Sequence, residues 1–577
     1  MQKKLAPNKN LVSLLGQYKL PVIVLVALTV IANGLSISVP KIVAVAIDTY
    51  TNGNFSLERL SVEFLIIASL IFVFTYLQNI AQVYISEKVA RDIRNNLVAK
   101  ISVQSYSYIE EITPAKLLTN LTSDVDAVKM FVSMAVSSII SSVFLIVGVS
   151  ILLLVTDWKL ALVVLSITPI MGTVFFFIFR KIRKLFKRAQ EAIDWLNRVI
   201  SESILGSSLI RLLNSRKFED EKFFIASTEA KDISFEILRL FSSLIPVITF
   251  LTNFATLAIV LLGGHFVITG AMSLGNFTAF NSYLAILLFP IIILGFISNL
   301  IAQAQASYGR IAQVLNTPIP KKTGGVKAIL RGDIEVKKIT VNLEEKSVLR
   351  NVSFSIKAGS KTAIIGPTAA GKTQLLYLIA GLLTPTEGEI TFDDKSISKY
   401  SKESLHSQVG FVFQDSVMFN LSLRENIAFS NTVKDEYLEK AIKTAEMEDY
   451  IETLPNKLDT IVSERGTSLS GGQKQRIMLA RALALNPKIL LLDDFTARVD
   501  FNTERKILRN VAQNYPRLTL ISVTQKISSI EHYDQIILLM EGELLAKGTH
   551  QELLNISPEY VQIFQSQRST NQYELND

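Results

Sequence analysis

Cysteine is absent from this 577-residue chain. Disulfides and cysteine-ligated metal sites are therefore excluded, as suits a protein facing the reducing cytosol. Acidic side chains are missing from the middle of every long apolar run. That removes the usual proton carriers of a membrane path, so proton-coupled transport has no support. Lys and Arg are missing from residues 266–276, although both crowd other connections between apolar segments. An uneven distribution of this kind is a signature of topology rather than of composition.

What is present falls into two materials. Residues 19–310 carry long apolar runs, and 330–577 read as an α/β domain. A chain of this length exceeds one hydrophobic core, so at least two domains are expected. The net charge of +8 could suggest nucleic acid, but the basic residues sit beside apolar segments, as membrane topology demands, and no nucleic-acid partner is expected.

An α-helix crosses a hydrocarbon core of ~30 Å with about 20 apolar residues. Six segments qualify, near 20–46, 61–84, 130–155, 160–179, 242–265 and 277–301. The third and fourth are joined by Thr156-Asp157-Trp158-Lys159, a tight turn. The second and third, and the fourth and fifth, are separated by long basic connections that keep a helical pattern, among them Arg91, Arg94 and Lys100, then Arg183, Lys184 and Arg188. Positive-inside bias places both termini and both long connections in the cytoplasm. Lys3, Lys4 and Lys9 precede an apolar stretch too long for a signal peptide, so the first span is retained. Within the spans, Asn33, Asn253, Asn281, Ser282, Tyr283 and Asn299 either face a central cavity or hydrogen-bond between helices.

The second material carries the chemistry. Ile334 to Ile339 and Val352 to Ile356 alternate as strands, and Lys361 to Ile365 is an apolar strand. It runs into Gly366-Pro367-Thr368-Ala369-Ala370-Gly371-Lys372-Thr373, and a helical pattern follows. Strand, glycine-rich loop and helix form a nest of backbone amides for nucleotide phosphates; Lys372 neutralises charge and the Thr373 hydroxyl suits Mg²⁺. Downstream stand Gln414 after an apolar strand, Ser463-Glu464-Arg465-Gly466, and Leu469-Ser470-Gly471-Gly472-Gln473 opening a helix. Leu490-Leu491-Leu492-Asp493-Asp494, Asp500 and Gln525 complete the set.

In this order the motifs resemble the ATP-binding-cassette (ABC) transporter family, and the six spans resemble its type I exporter membrane domain, type IV in newer naming. The fold implied is an all-α six-helix membrane domain with long cytoplasmic helical extensions, followed by a P-loop NTPase α/β nucleotide-binding domain. The organisation expected is a membrane domain over 1–316, a linker over 317–330, a nucleotide domain over 331–570 and a tail over 571–577. The strings Ala115 to Val125 and Gly206 to Arg216 resemble the family's two coupling helices, expected near 113–125 and 206–217. The resemblance implies ATP and Mg²⁺ as cofactors, with Thr373, Gln414 and Asp493 around the metal. It also implies that Leu469 to Gln473 act on ATP held by a second subunit, because a helix N-terminus with close-approaching glycines suits a phosphate. Asp500 matches the D-loop, and Leu343 stands where an aromatic commonly stacks on adenine.

Three departures from the family's pattern carry more information. A Glu normally follows the Walker B Asp, whereas this chain has Asp494; one methylene less retracts the carboxylate by ~1.5 Å, and a displacement of that size can cost about 10²-fold. Gln525 replaces the switch His, and an amide can donate a hydrogen bond but cannot shuttle a proton. Ala369 replaces the middle loop glycine, which the loop accommodates if that residue keeps φ below zero. The expectation is an exporter subunit with a degenerate catalytic pair, paired with a second half-transporter that carries the intact Glu and His. The alternatives are a homodimer with two weakened sites and a nucleotide-binding regulatory or assembly subunit. The substrate expected is a small molecule, lipid or peptide, hydrophobic or amphipathic, and the surrounding lipid is a further partner. A multi-pass protein of a bacterial cytoplasmic membrane is the expected setting. About 19 residues precede the first span, so no leader-cleaving peptidase is expected ahead of it.

Overall fold

The computed structural model describes residues 11–53, 55–319, 325–343, 346–430, 433–463 and 466–574. It divides into two compact units, Met1–Gln104 with Ile112–Ile319 and Ser105–Glu111 with Pro320–Asp577.

The first unit is built from six long helices: α1 (Ser13–Thr51), α2 (Leu57–Ile101), α3 (Pro114–Thr156), α4 (Trp158–Leu205), α5 (Arg216–Ile268) and α6 (Leu274–Asn316). Each contains one expected span and outlasts it. The extra turns are polar and basic, so hydropathy alone ends the segment where the hydrocarbon ends, while the backbone hydrogen bonds continue. Most apolar side chains of the spans point away from the protein: Phe72, Phe177 and Phe250 are exposed. That is the arrangement lipid rewards and water forbids. The chain is an integral membrane protein.

Helix contacts rest on small residues, as is usual where lipid removes any hydrophobic drive between helices. A Cβ at Gly275 would meet the Ala44 carbonyl oxygen at 2.0 Å, and one at Gly148 would meet Ile37 at 3.1 Å. Beside the first of these contacts Asp48 accepts from Ser273 Oγ and from the Gly275 amide, both at 2.7 Å, tying the end of α1 to the start of α6. Asp157 ends α3 in extended backbone and caps α4 by accepting from the Leu160 amide at 2.9 Å. Asn33 hydrogen-bonds Ser141 across α1 and α3, the interhelical role foreseen for polar span residues. The Asn299 side chain lies outside the described residues. At the base of the unit the guanidinium of Arg310 grips the buried carboxylate of Asp124 with two nitrogens.

The string expected as a first coupling helix, 113–125, forms the first turns of α3. The short helix preceding it, Tyr106–Ile112, is the one that groups with the nucleotide domain. Its Tyr106 ring packs edge-on against Tyr377 at 5.2 Å between centroids. Thr113, with φ of 70°, and Pro114 separate the two segments, since this backbone can continue neither helix. The second expected segment contains the helix Ser207–Leu212, whose Leu209 and Leu212 are exposed.

The second unit is a two-sheet α/β domain. An antiparallel sheet has the order β2-β1-β4-β5, from Lys346–Ile356 (β2), Ile334–Leu343 (β1), Glu387–Phe392 (β4) and Lys395–Ser396 (β5). A six-stranded sheet has the order β10-β9-β3-β8-β7-β6. Its members are Glu543–Gly548 (β10), Gln535–Met540 (β9), Lys361–Ile365 (β3), Thr519–Val523 (β8), Ile489–Asp493 (β7) and Val409–Val412 (β6). All neighbours are parallel except β10 and β9. The central strands are buried on both faces, which is why they read as unbroken apolar runs rather than alternating ones.

Candidate nucleotide site

Strand order decides which loops meet. The parallel neighbours β3, β8, β7 and β6 end side by side, and the segments leaving their carboxyl ends are the glycine-rich loop, Thr524-Gln525, Asp494 and Gln414 respectively. Motifs more than 100 residues apart in sequence thus share one edge, where α/β sheets place their ligands. The direct link is a hydrogen bond from Thr373 Oγ1 to Asp493 Oδ1 at 3.1 Å.

The loop that leaves β3 depends on its glycines. Gly366 has φ of +150°, and a Cβ there would lie 2.0 Å from the Leu539 carbonyl oxygen; Gly371 has φ of +89° and would press on Leu349. The helix Lys372–Ile379 starts from Gly371 with no side-chain cap, leaving its first amides to an external acceptor. Pro367, Thr368 and Ala369 are exposed, whereas Ala370 packs into the core. Lys372 Nζ lies over the loop, donating to the carbonyls of Gly366 at 2.9 Å and Pro367 at 2.7 Å. Burial pulls its ammonium below the usual lysine range, opposed by the charges of Asp494 and Asp493. Ala369 does not keep φ below zero: it sits at +65°, the left-handed region where a Cβ costs about 1–2 kcal/mol. The loop geometry, not the residue type, sets that angle.

Asp493 ends β7 with its carboxyl buried. Oδ2 has no protein partner among the described residues, while Oδ1 is held by Thr373. Burial pushes this carboxyl above the usual carboxylate range, and the neighbouring Asp494 pushes the same way. An orphaned carboxylate oxygen beside a threonine hydroxyl and a buried lysine fits a nucleotide carrying a divalent cation. Asp494 follows with φ of 48°, its amide donating to the Val523 carbonyl at 3.0 Å. Burial raises its carboxyl too, against the opposing charges of Lys372 and Lys526. Asp tolerates the left-handed backbone better than longer side chains do, so residue 494 combines an easy backbone with a short reach.

Gln525 is exposed. Its carbonyl accepts from Gln567 Nε2 at 2.5 Å, and Gln567 Oε1 accepts from the Ile527 amide at 2.9 Å. The C-terminal helix Pro558–Glu574 therefore clamps the loop that carries Gln525. No local sequence signal marks Gln567, because its partners lie about forty residues away. The Gln414 side chain is exposed, and its carbonyl accepts from Gln475 Nε2 at 3.3 Å. Leu343 pairs with Lys346 at the end of β1; its side chain lies outside the described residues, as do Glu464 and Arg465.

The run Leu469 to Gln473 is a helix start of a different kind. Ser470 Oγ accepts from the Gln473 amide at 3.2 Å and the Ser470 amide donates to Gln473 Oε1 at 2.8 Å, a complete capping box on the helix Gly471–Ala484. A Cβ at Gly472 would lie 2.9 Å from the Arg498 carbonyl oxygen, and one at Gly471 would lie 3.2 Å from Arg498 Cδ. Arg498 thus covers the glycines, a contact the sequence reading missed. Asp500, two residues on, accepts from the Thr503 amide at 2.9 Å and caps the helix Phe501–Asn514. No hydrogen bond among the described residues joins Ser470–Gln473 to the glycine-rich loop of the same chain.

A P-loop domain with a separate glycine-tipped helix, in one chain with six membrane-crossing helices, defines a membrane-embedded nucleotide-driven machine. Residues 22–291 match the family of the ABC transporter transmembrane region, and residues 349–497 match the ABC transporter family. The chain is 35% identical to an uncharacterised ABC transporter ATP-binding protein, YfiB, of Bacillus subtilis (strain 168), across 84% of this chain and 85% of that protein. It is 29% identical to an ATP-dependent lipid A-core flippase of Syntrophus aciditrophicus (strain SB), across 85% and 83%. It is also 29% identical to the multidrug resistance-like protein MdlA of Escherichia coli (strain K12), across 94% and 93%. A bacterial Atm1-family ABC exporter solved with ATP bound has the same fold, with a TM-score of 0.78 at 23% identity over 95% of this chain and 98% of that one. The protein belongs to the ABC transporter family and has the exporter fold.

Proposed function

We propose that this chain is one subunit of an ATP-driven exporter, moving a hydrophobic or amphipathic substrate out of the cytoplasm by alternating access. One observation supports the finer part of this reading: Asp494 directly follows Asp493 at the end of β7 and Gln525 follows β8, where the resemblance implies a Glu and a His, in a domain whose Ser470–Gln473 capping box is complete. The Walker side keeps what binding needs, namely loop amides, Lys372 and the Thr373–Asp493 pair. ATP with Mg²⁺ would be held there, Thr373, Asp493 and Gln414 standing around the metal. The bound cation supplies charge neutralisation to the phosphates. Asp494 is short of the reach a water-orienting carboxylate needs, and Gln525 holds a phosphate oxygen without moving a proton.

The signature side serves the other subunit. Ser470 and the amides of Gly471 and Gly472 present a helix N-terminus to ATP on a partner's P-loop. A partner with an intact Glu and His would hydrolyse that ATP, which makes a heterodimer the preferred assembly. The helix Tyr106–Ile112 and the exposed leucines of Ser207–Leu212 supply coupling between membrane and nucleotide domains. Both termini and both long helical connections face the cytoplasm, from the distribution of Lys and Arg. Relatives named for lipid and multidrug traffic support an amphipathic cargo. Switching requires ATP to bind the closed state more tightly than the open one.

The test is ATPase activity of the purified chain with and without a second half-transporter, followed by ATP-dependent cargo movement in proteoliposomes. Slow turnover alone and at least tenfold faster turnover in the mixed complex is expected. Brisk turnover by symmetric pairs of this chain would instead establish the homodimer.

A further inference from the structure

Inside the first unit lies a cavity of about 430 Å³ between α2, α3 and α6. It sits within the hydrocarbon-depth stretches of those helices, yet much of its wall is polar. Gln78, Gln82, Ser137, Ser138 and Ser142 line it, together with Ile286 and Pro290. In hydrocarbon each such group needs a partner, because no solvent supplies one.

Helix packing accounts for part of this wall. Ser137 Oγ donates to Gln82 Oε1 at 2.9 Å, and Asn33 secures the nearby Ser141. The remainder is unaccounted for. Gln78, Ser138 and Ser142 make no side-chain hydrogen bond among the described residues, and their polar atoms open onto the cavity rather than being sealed in the packing. Pro290 has no N–H to offer the Ile286 carbonyl, so a backbone acceptor on the same wall lacks its usual helical donor. No Lys, Arg, Asp or Glu lines the cavity, while Phe289, 70% exposed, and Ile293 supply an apolar flank. Donors and acceptors without charge, next to an apolar surface, match a neutral head group on an apolar body. The volume falls within the range of small-molecule sites, roughly 300–1,000 Å³.

We propose that this cavity binds the neutral, hydroxyl-bearing head group of a glycolipid-like amphiphile, with Ser138, Ser142 and Gln78 as its hydrogen-bonding residues. The binding step stands by itself; its consequence for cargo choice rests on the export reading above. The probe is a fluorescent glucosylceramide, set against a phosphatidylcholine with the same fluorophore and chains, each titrated without nucleotide onto the full chain in nanodiscs. The sugar probe is expected to bind at least tenfold more tightly. The double variant Ser138→Val/Ser142→Val should remove that preference, and Ser142→Thr should keep it. Equal binding of both probes, or a preference surviving the double variant, overturns the site. Should the double variant fail to fold, the unaltered chain is photolabelled with a diazirine glucosylceramide and digested. Label on peptides spanning 133–145 or 285–293 supports the site, and label only elsewhere overturns it. If head-group-selective binding holds while ATP moves neither probe across proteoliposomes that hold the chain together with its second half-transporter, the export reading fails for this cargo and the site stands.

Discussion

On the reading proposed above, the nucleotide domain contributes to phosphate chemistry from two places, the loop after β3 and the start of the helix Gly471–Ala484. The second is complete: both reciprocal bonds of the Ser470–Gln473 box are made, and the two glycines are kept bare by close contact with Arg498. On the same reading, the first holds a phosphate and does not cleave it. Lys372, the loop amides and the Thr373–Asp493 bond are in place, while Asp494 and Gln525 stand where the resemblance implies a longer carboxylate and an imidazole. Binding needs only charge and donors in a fixed nest. Cleavage also needs a base placed to within about an ångström. A chain can therefore lose the second capacity and keep the first, provided another subunit does the cleaving.

The largest expected effects would break this comparison outright. Gly472→Glu forces a side chain against the Arg498 carbonyl oxygen and puts a carboxylate where a phosphate is received. It should lower ATPase of the assembled complex by about 10²-fold or more, the scale of losing a preorganised donor. Lys372→Ala in the same complex should cost less than about tenfold, because it empties only the slow site; a reversed order in a steady-state assay would show that this chain's own loop does the work. Next in size is Asp494→Glu with Gln525→His. This pair should raise turnover of the chain assayed alone by about 10²-fold. An unchanged rate would mean that neither residue is limiting.

The sequence showed the two materials and their motifs because each has a local physical cause. Spans announce themselves by some twenty apolar residues, and the anion nest by glycines at positions where only a glycine backbone fits, as at Gly366 and Gly371. What remained hidden was decided by tertiary contact. The polar ends of the long helices carry no apolar window, so their full lengths were unreadable. The grouping of Tyr106–Ile112 with the nucleotide domain gave no sign in the sequence, since Tyr106 finds its aromatic partner at Tyr377, more than 250 residues away. The positive φ of Ala369 is imposed by the loop around it, and an alanine gives no warning of that.

Two smaller effects sharpen the contrast on the side of the loop after β3. Gln567→Leu removes both hydrogen bonds that hold the Gln525 loop, each worth about 0.5–1.5 kcal/mol. Hydrogen exchange at the Ile527 amide should accelerate by about tenfold, and protection that survives would show the loop held by packing alone. Ala369→Gly should have the smallest effect. Relief of the left-handed backbone gains about 1–2 kcal/mol, and the freer unfolded chain takes back about 0.4–1 kcal/mol. Net stabilisation near 1 kcal/mol would raise the nucleotide domain's melting temperature by about 2–4 °C in calorimetry of the full chain. The same strain is present with or without bound ATP if the loop is rigid, so ATP affinity should stay within about twofold. A larger gain in affinity would mean that the loop relaxes when no phosphate holds it, and that the alanine opposes the very binding this half of the site retains.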